Sequence, residues 1–297
     1  MKDSLEELFG IPLPVEMTQA GCDFIHEVIR RNRVYVQQVQ AMAMYQGLIK
    51  AAVETADPSR REALAKYVDE RMPSIALAFN AASRARDLHD ARDTVDNFMI
   101  YLCDLVGEVY QRRPEAMRSS ATVPVADVLS HRTMEEFVEA EIERRVSQAS
   151  RKGWSEMRRL LESDLKLTLS ESSDQTEALE RAVLVRNLVT HRRGRVDSVF
   201  LRRWDSAGGK HLAMEPGQEL SADVAHQALN SREILMRVIN LDQQARTKFH
   251  LPCVDPREGL PSFQLVVSNS LRDASVGHDP LCPCAACEAH PSDPAEG

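Results

Sequence analysis

Aromatic residues are scarce in this 297-residue chain, with two Trp, five Tyr and eight Phe, and only twelve glycines are spread along it. Ala, Leu, Glu, Arg and Val are plentiful instead, which is helix-forming material. No stretch approaches the roughly 20 uncharged apolar residues that a bilayer-spanning helix needs, so no membrane segment is expected. No phosphate-cradling glycine loop is present, which argues against an NTPase. The six cysteines do not form a disulfide framework: Cys22 and Cys103 sit in apolar helical contexts, and Cys282, Cys284 and Cys287 crowd the tail. The opening MKDSLEELFG is acidic and lacks an apolar core, so it does not read as a signal peptide. A reducing cytoplasm is the expected setting.

The length suffices for one or two domains with a sizeable core. Apolar residues from Phe24 to Val39 recur at helical spacing and predict a helix running to about Ala56, with Asp57-Pro58-Ser59 as the break after it. TVDNFMIYLCDLVGEVY, residues 94–110, predicts a second apolar helix with Thr94 as its cap and Pro114 as its stop. Shorter helices are expected over 124–130, 133–149 and 153–164. A loop is expected at 171–175, and the next helix is expected to open at Asp174 or Thr176 and to end near Gly194. A short helix over 196–203 and one amphipathic helix from about Ser221 to Phe249 complete the pattern. From Pro252 the chain reads as loop, passing into a Pro-, Ala- and Cys-rich tail. The expected organisation is an N-terminal helical region over 1–90, a helical domain over 91–252 and a terminal segment over 253–297.

Charge is unevenly spread. The chain carries a formal −8, yet residues 181–203, RAVLVRNLVTHRRGRVDSVFLRR, hold seven arginines and His191 against the single acid Asp197. That segment carries +6 and the remainder −14. Self-repulsion in so basic a cluster points to an anionic ligand. On a helix at 100° per residue, Arg186, Thr190, Asn187 and His191 fall on one arc about 140° wide, opposite Val185, Leu188 and Val189. Arg186 has no acid three or four residues away, so its charge needs a distant acid, water or a bound anion. A guanidinium that can fork onto phosphate oxygens beside an imidazole that can move a proton is a minimal kit for cleaving RNA by attack of its own 2′-OH. The same residues also suit a helix cap and a solvated basic face, the commoner roles.

Arg186-Asn187-Leu188-Val189-Thr190-His191, followed by Gly194 and flanked by helical segments over roughly 90–250, resembles the HEPN superfamily of helical domains, whose hallmark is Arg, four to six residues, then His. The resemblance implies an antiparallel all-α bundle with extra helices before it. It also implies a homodimer in which two Arg–His sets face one cleft. Many members are metal-independent endoribonucleases of toxin–antitoxin or anti-phage systems, and others only bind RNA or partner proteins. Carried onto this chain, Arg186 and His191 would be catalytic, Asn187 would orient the site, and Thr190, Arg192, Arg193 and Arg195 would bind RNA. No cofactor is implied, and an antitoxin or defence-system protein is the partner expected besides RNA. Thr190 and Arg192 flank the His where an aliphatic residue and Asn are usual, a departure that bears on substrate preference.

Other features have plainer readings. Cys282, Cys284 and Cys287, near His278 and His290, hold metal-ligating atoms but at no common zinc-finger spacing. Trp204 suits helix packing better than base stacking. Asp87, Asp90 and Asp93, and the helix face of Glu136, Glu139 and Glu141, are expected to face solvent. The Met-rich AMAMYQGL at 41–48 is expected in the core or at a dimer interface.

Overall fold

The computed structural model describes residues 10–117, 123–170, 172–228 and 231–258, with the backbone alone at 75–76, 78–85, 222 and 226–227. Every regular element among them is helical, and the only β features are two isolated bridges, Met17 with Val254 and Arg195 with Glu219. The expected all-α class is therefore what the chain adopts. The described residues form one compact unit that ends at Glu258. Among the described residues no helix is long and apolar enough to cross a membrane. Cys282, Cys284, Cys287, His278 and His290 lie outside the described residues.

Helix α1 spans Gln19–Thr55. Its N-terminus is buried, so its free N–H groups need protein partners. The Thr18 hydroxyl caps it by accepting from Gly21 N at 3.0 Å, and itself donates to Asp242 Oδ1 at 2.6 Å. Thr18 N donates to both Asp242 oxygens at 3.2 Å, and Ala20 N donates to Glu108 Oε1 at 2.7 Å. Two carboxylates from distant parts of the sequence thus pin the start of α1, where the helix dipole favours negative charge.

Helix α2 runs unbroken over Pro58–Arg112 and stops before Pro114 as expected. Thr94 is not a cap: it lies inside α2, and its hydroxyl bonds back to the Asp90 carbonyl at 2.8 Å. A threonine can satisfy itself this way mid-helix, and a continuous Pro58 start makes a second cap unnecessary. The part of α2 from Ala91 onward is the spine of the core. Val95, Phe98, Tyr101, Leu102, Leu105, Val106 and Val109 are all buried along it.

Two short helices, α3 at Val125–Leu129 and α5 at Trp154–Arg159, flank α4 at Met134–Lys152, and a π-helical turn over Leu160–Asp164 follows α5. Glu141 on α4 is a correction to the expected solvent-facing acidic face. It is buried and holds the guanidinium groups of Arg144 and Arg145 at 2.6–2.7 Å, which keep its carboxyl below the usual range, Arg144 foremost. Helix α6, Ser173–Arg192, is capped by Ser172, whose hydroxyl accepts from Gln175 N at 3.3 Å, rather than by Asp174 or Thr176. It packs antiparallel on α2, since Arg186 meets Asp96 while Gly194 lies against Leu88.

Helix α7, Ser198–Ser206, starts at the Asp197 cap, whose carboxylate accepts from Phe200 N at 2.7 Å. The expected final amphipathic segment is helical as α8, Ala222–Ala228, and α9, Ser231–Phe249. Ser221 caps α8 by accepting from Val224 N at 3.3 Å. Residues 252–258 run as loop and turn.

Candidate nucleic-acid interface

The hexad is divided by the burial of α6. Val185, Leu188 and Val189 are buried, Arg186 and Asn187 are half-buried at the edge of α2, and Thr190 and His191 are exposed. The polar arc therefore opens outward rather than into the bundle. His191 has no hydrogen-bond partner among the described residues.

Arg186 finds the distant acid that its own helix lacks. Its Nε donates to Asp96 Oδ1 at 2.6 Å and its Nη1 to Asn187 Oδ1 at 3.0 Å. Arg186 and Asp96 are each only about one-third exposed at the side chain. Two of the five guanidinium N–H donors are thereby committed, and the fork is fixed in orientation. Asp96 in turn lies one turn beyond Arg92 on α2, Nε to Oδ2 being 3.9 Å. Asp96 is the residue that sequence reasoning missed. Its i, i+4 spacing from Arg92 permits a surface ion pair, but nothing in the chain order ties it to a residue ninety positions later.

The end of α6 is built from a left-handed pair, Arg193 at φ 55° and Gly194 at φ 76°. The N–H groups of both turn back onto the Leu188 carbonyl. A non-glycine residue in this region costs about 1–2 kcal/mol, and here it turns the Arg193 side chain to solvent. The strand-like run after it is held by hydrogen bonds from Val196 N to Gln218 O at 2.9 Å and from Leu220 N to Gly194 O at 2.8 Å.

The remaining predicted contacts form an exposed basic rim. Arg192 lies 3.5 Å from Asp197, and Arg195 lies 3.4 Å from Glu219, both with side chains more than three-fifths exposed. Arg202 and Arg203 on α7 are also exposed. Such surface pairs are worth little, about 0–1 kcal/mol, so they leave these arginines free to exchange an acid for an external anion. Trp204 is only 3% exposed and packs on Phe200, its Nε1 donating to Lys210 O at 2.9 Å, so it is a packing residue rather than a stacking platform.

Arg186 and His191 stand about 140° apart around α6 and roughly 9 Å apart between Cα positions. Within one chain the structure brings Arg186 to Asn187 and Asp96, and leaves His191 with the basic rim. The acids Asp87, Asp90 and Asp93 are tied to arginines, with Asp90 and Asp93 3.5 and 3.8 Å from Arg31 and Asp87 3.8 Å from Arg86. The described residues contain no group of acids, His and Cys that could hold a metal ion. A cleft of about 650 Å³, lined by Arg158, Lys166, Thr168 and Ser170 among others, contains no hexad residue. No protein-family profile, curated protein or solved structure matches this chain.

Proposed function

We propose that the outward face of α6 is an RNA-cleaving site of HEPN type. The observation that carries the proposal is the pairing of an oriented, half-buried Arg186 with a fully presented His191 inside an exposed rim of Arg192, Arg193 and Arg195. The rim supplies attraction to a phosphate backbone. Arg186 keeps Nη hydrogens uncommitted for a phosphate oxygen, where a pre-oriented cation stabilises developing charge. His191 takes the proton of the 2′-OH or delivers one to the leaving 5′-oxygen.

Atoms balance without a co-reactant. The 2′-oxygen bonds to phosphorus, the bond to the 5′-oxygen breaks, and the products carry 2′,3′-cyclic phosphate and 5′-OH ends. The separation of Arg186 from His191 on one helix is the reason to place the working site across two copies of the chain, each contributing one set. Thr190, in the exposed position between them, lies where it can contact the same backbone. The family resemblance extends the reading to a role in toxin–antitoxin or anti-phage systems, with RNA as substrate and an antitoxin or defence protein as partner.

Arg186 is also neutralised by Asp96 at 2.6 Å. That contact favours a second reading in which the segment is a non-catalytic interaction face for RNA or a protein. One experiment separates the two. Purified protein is incubated with total or transfer RNA in EDTA beside His191→Ala and Arg186→Ala. Cleavage that persists in EDTA and falls at least about 100-fold in both variants is the expected result for general acid–base and electrostatic roles. Full activity in His191→Ala, or none in wild type, refutes the nuclease. Retained RNA binding without cleavage then leaves the interaction face.

A further inference from the structure

A second feature stands apart from the α6 site. Beyond Ile29, α1 has no buried residue, and α2 has none among its described side chains before Ala91. The distal halves of these helices therefore form a two-helix arm, about 37 Å long on the α1 side at 1.5 Å per residue. The arm is antiparallel and in register: the Arg86 guanidinium lies 4.7 Å over the Tyr35 ring and donates to Gln38 at 2.9 Å, and Arg61 donates to the Glu54 and Ala56 carbonyls at the tip. Its inner seam of Val36, Met42, Ile49 and Val53 is only half-buried. Two helices alone leave such a seam open on both sides, and most helix stability in proteins comes from closing it.

The outer surface of the arm is unlike an ordinary solvated helix. From Val34 to Ile49 α1 carries sixteen residues with no charge among them. Val34, Ala41, Tyr45, Leu48 and Ala52 follow one another at spacings of seven, four, three and four, the a/d spacing of a coiled-coil seam. Val34, Tyr45 and Leu48 are 47%, 45% and 68% exposed, and Met44 beside them is 69% exposed. Tyr67 and Leu77 on α2 are 58% and 67% exposed. At on the order of 100 Å² each, the four on α1 leave roughly 400 Å² of apolar surface open along one helix, about half of the about 800 Å² per partner of a stable interface, and the intervening alanines add to it. A patch of a few hundred Å² is about the largest that a typical monomer exposes, and such patches are often functional.

We propose that the arm is a self-association surface, and that its occupant is the arm of a second copy of this chain, the four helices closing one shared core. Two observations select a second copy. In coiled coils the flanking charges choose a particular partner, and this stripe has none to do so. Under a two-fold axis, identical uncharged stripes meet with apolar residues opposite apolar residues and no like-charge clash. The proposal goes beyond the RNA reading and does not depend on it, because no residue of 186–195 is involved.

The test uses the full chain and analytical ultracentrifugation across micromolar concentrations, with Tyr45→Glu and Leu48→Glu beside wild type. Both positions are exposed, so helicity by circular dichroism is expected to stay at the wild-type level. A wild-type dimer and at least about tenfold weaker association in each variant are expected, from placing like charges in the shared core. Hydrogen exchange of wild type, compared dilute and concentrated, supplies a readout free of any variant: slowing confined to 34–49 and the facing part of α2 supports the arm. A monomeric wild type, a dimer indifferent to both variants, or slowing elsewhere overturns the proposal. Sedimentation of a monomeric wild type with phosphatidylcholine vesicles overturns it as well, and reassigns the stripe to a lipid surface.

Discussion

Replacing Asp242 by alanine tests what holds the start of α1 to the bundle. Asp242 is 1% exposed and accepts three hydrogen bonds from Thr18, one of them from the hydroxyl at 2.6 Å. It also lies 3.3 Å from Arg246 Nε. Alanine leaves a buried N–H and a buried hydroxyl without their acceptor, at about 1–3 kcal/mol for each orphaned group. It also removes the counterion of Arg246, whose side chain is 22% exposed and so recovers part of its hydration. The carboxylate is itself desolvated, which raises its pKa above the ordinary value, and removing that penalty offsets part of the loss. A net destabilisation of about 3–5 kcal/mol follows, the range for breaking a buried pair. At about 2–4 °C per kcal/mol for a unit of this size, the thermal midpoint falls by roughly 6–20 °C. Urea unfolding followed by circular dichroism gives the free energy, with an unchanged slope as the check that the denatured state is the same. Asp242→Asn keeps an acceptor for Thr18 and is expected to lose about half as much. A loss under about 1 kcal/mol for alanine would refute the view that Asp242 organises this helix start.

Substituting Glu108 is expected to act in the opposite direction, although its carboxyl is also desolvated. Burial, followed by repulsion from Asp242, Asp104 and Asp23, raises its carboxyl above the usual 4.5, and one of its oxygens is buried without a hydrogen-bond partner. A raised folded-state pKa means the ionised form disfavours the fold above that pKa, and the penalty is relieved as pH falls through it. Glu108→Gln keeps an oxygen for Ala20 N and is expected to raise the midpoint at neutral pH, with the gain shrinking on acidification toward the ordinary carboxyl range; a gain that is constant with pH contradicts the assignment. Gly209→Ala probes the other end of the basic face, since a Cβ there would overlap the Trp204 indole. Overpacking of about 1–3 kcal/mol is expected, together with a changed Trp204 near-ultraviolet signal, and an unaltered signal with native stability would show that the loop yields freely.

Helix positions were legible where a local cause sets them. Pro58 and Pro114 bracket α2 because proline suits a first turn and ends a helix. Gly194 closes α6 through chemistry that lies within a few residues, and the short helix expected over 196–203 is α7, which starts two residues later behind the Asp197 cap. The misreadings came where two local signals compete. Thr94 has a capping side chain, but Pro58 had already started the helix and the apolar pattern never required a second start. Ser172 outranked Asp174 because the cap must precede the first helical residue by one, and three hydroxyl or acid groups in a row give no local ground for choosing. Glu141 was misplaced for a different reason. Its burial depends on Arg144 and Arg145 both folding over it, a three-body arrangement that helical spacing permits but does not enforce.

The candidate site shows the same boundary between local and long-range information. That Arg186, Asn187, Thr190 and His191 share an arc follows from helix geometry alone, and the arc exists as drawn. Which way it faces does not follow, because the direction is fixed by what packs on the opposite side. Leu179, Ala182, Val185 and Leu188 win that contest against α2 and turn the arc to the surface. The absence of a local counterion for Arg186 was equally readable, and it correctly required a partner from elsewhere. Its identity was not, since any of 45 acids could serve and only the antiparallel register of α6 on α2 selects Asp96. The selection matters chemically. A carboxylate on Nε leaves Nη hydrogens of the guanidinium uncommitted, whereas a carboxylate gripping both Nη groups would occupy them. In the proposed RNA site the pair at 2.6 Å would orient the arginine for a phosphate oxygen as well as neutralise its charge.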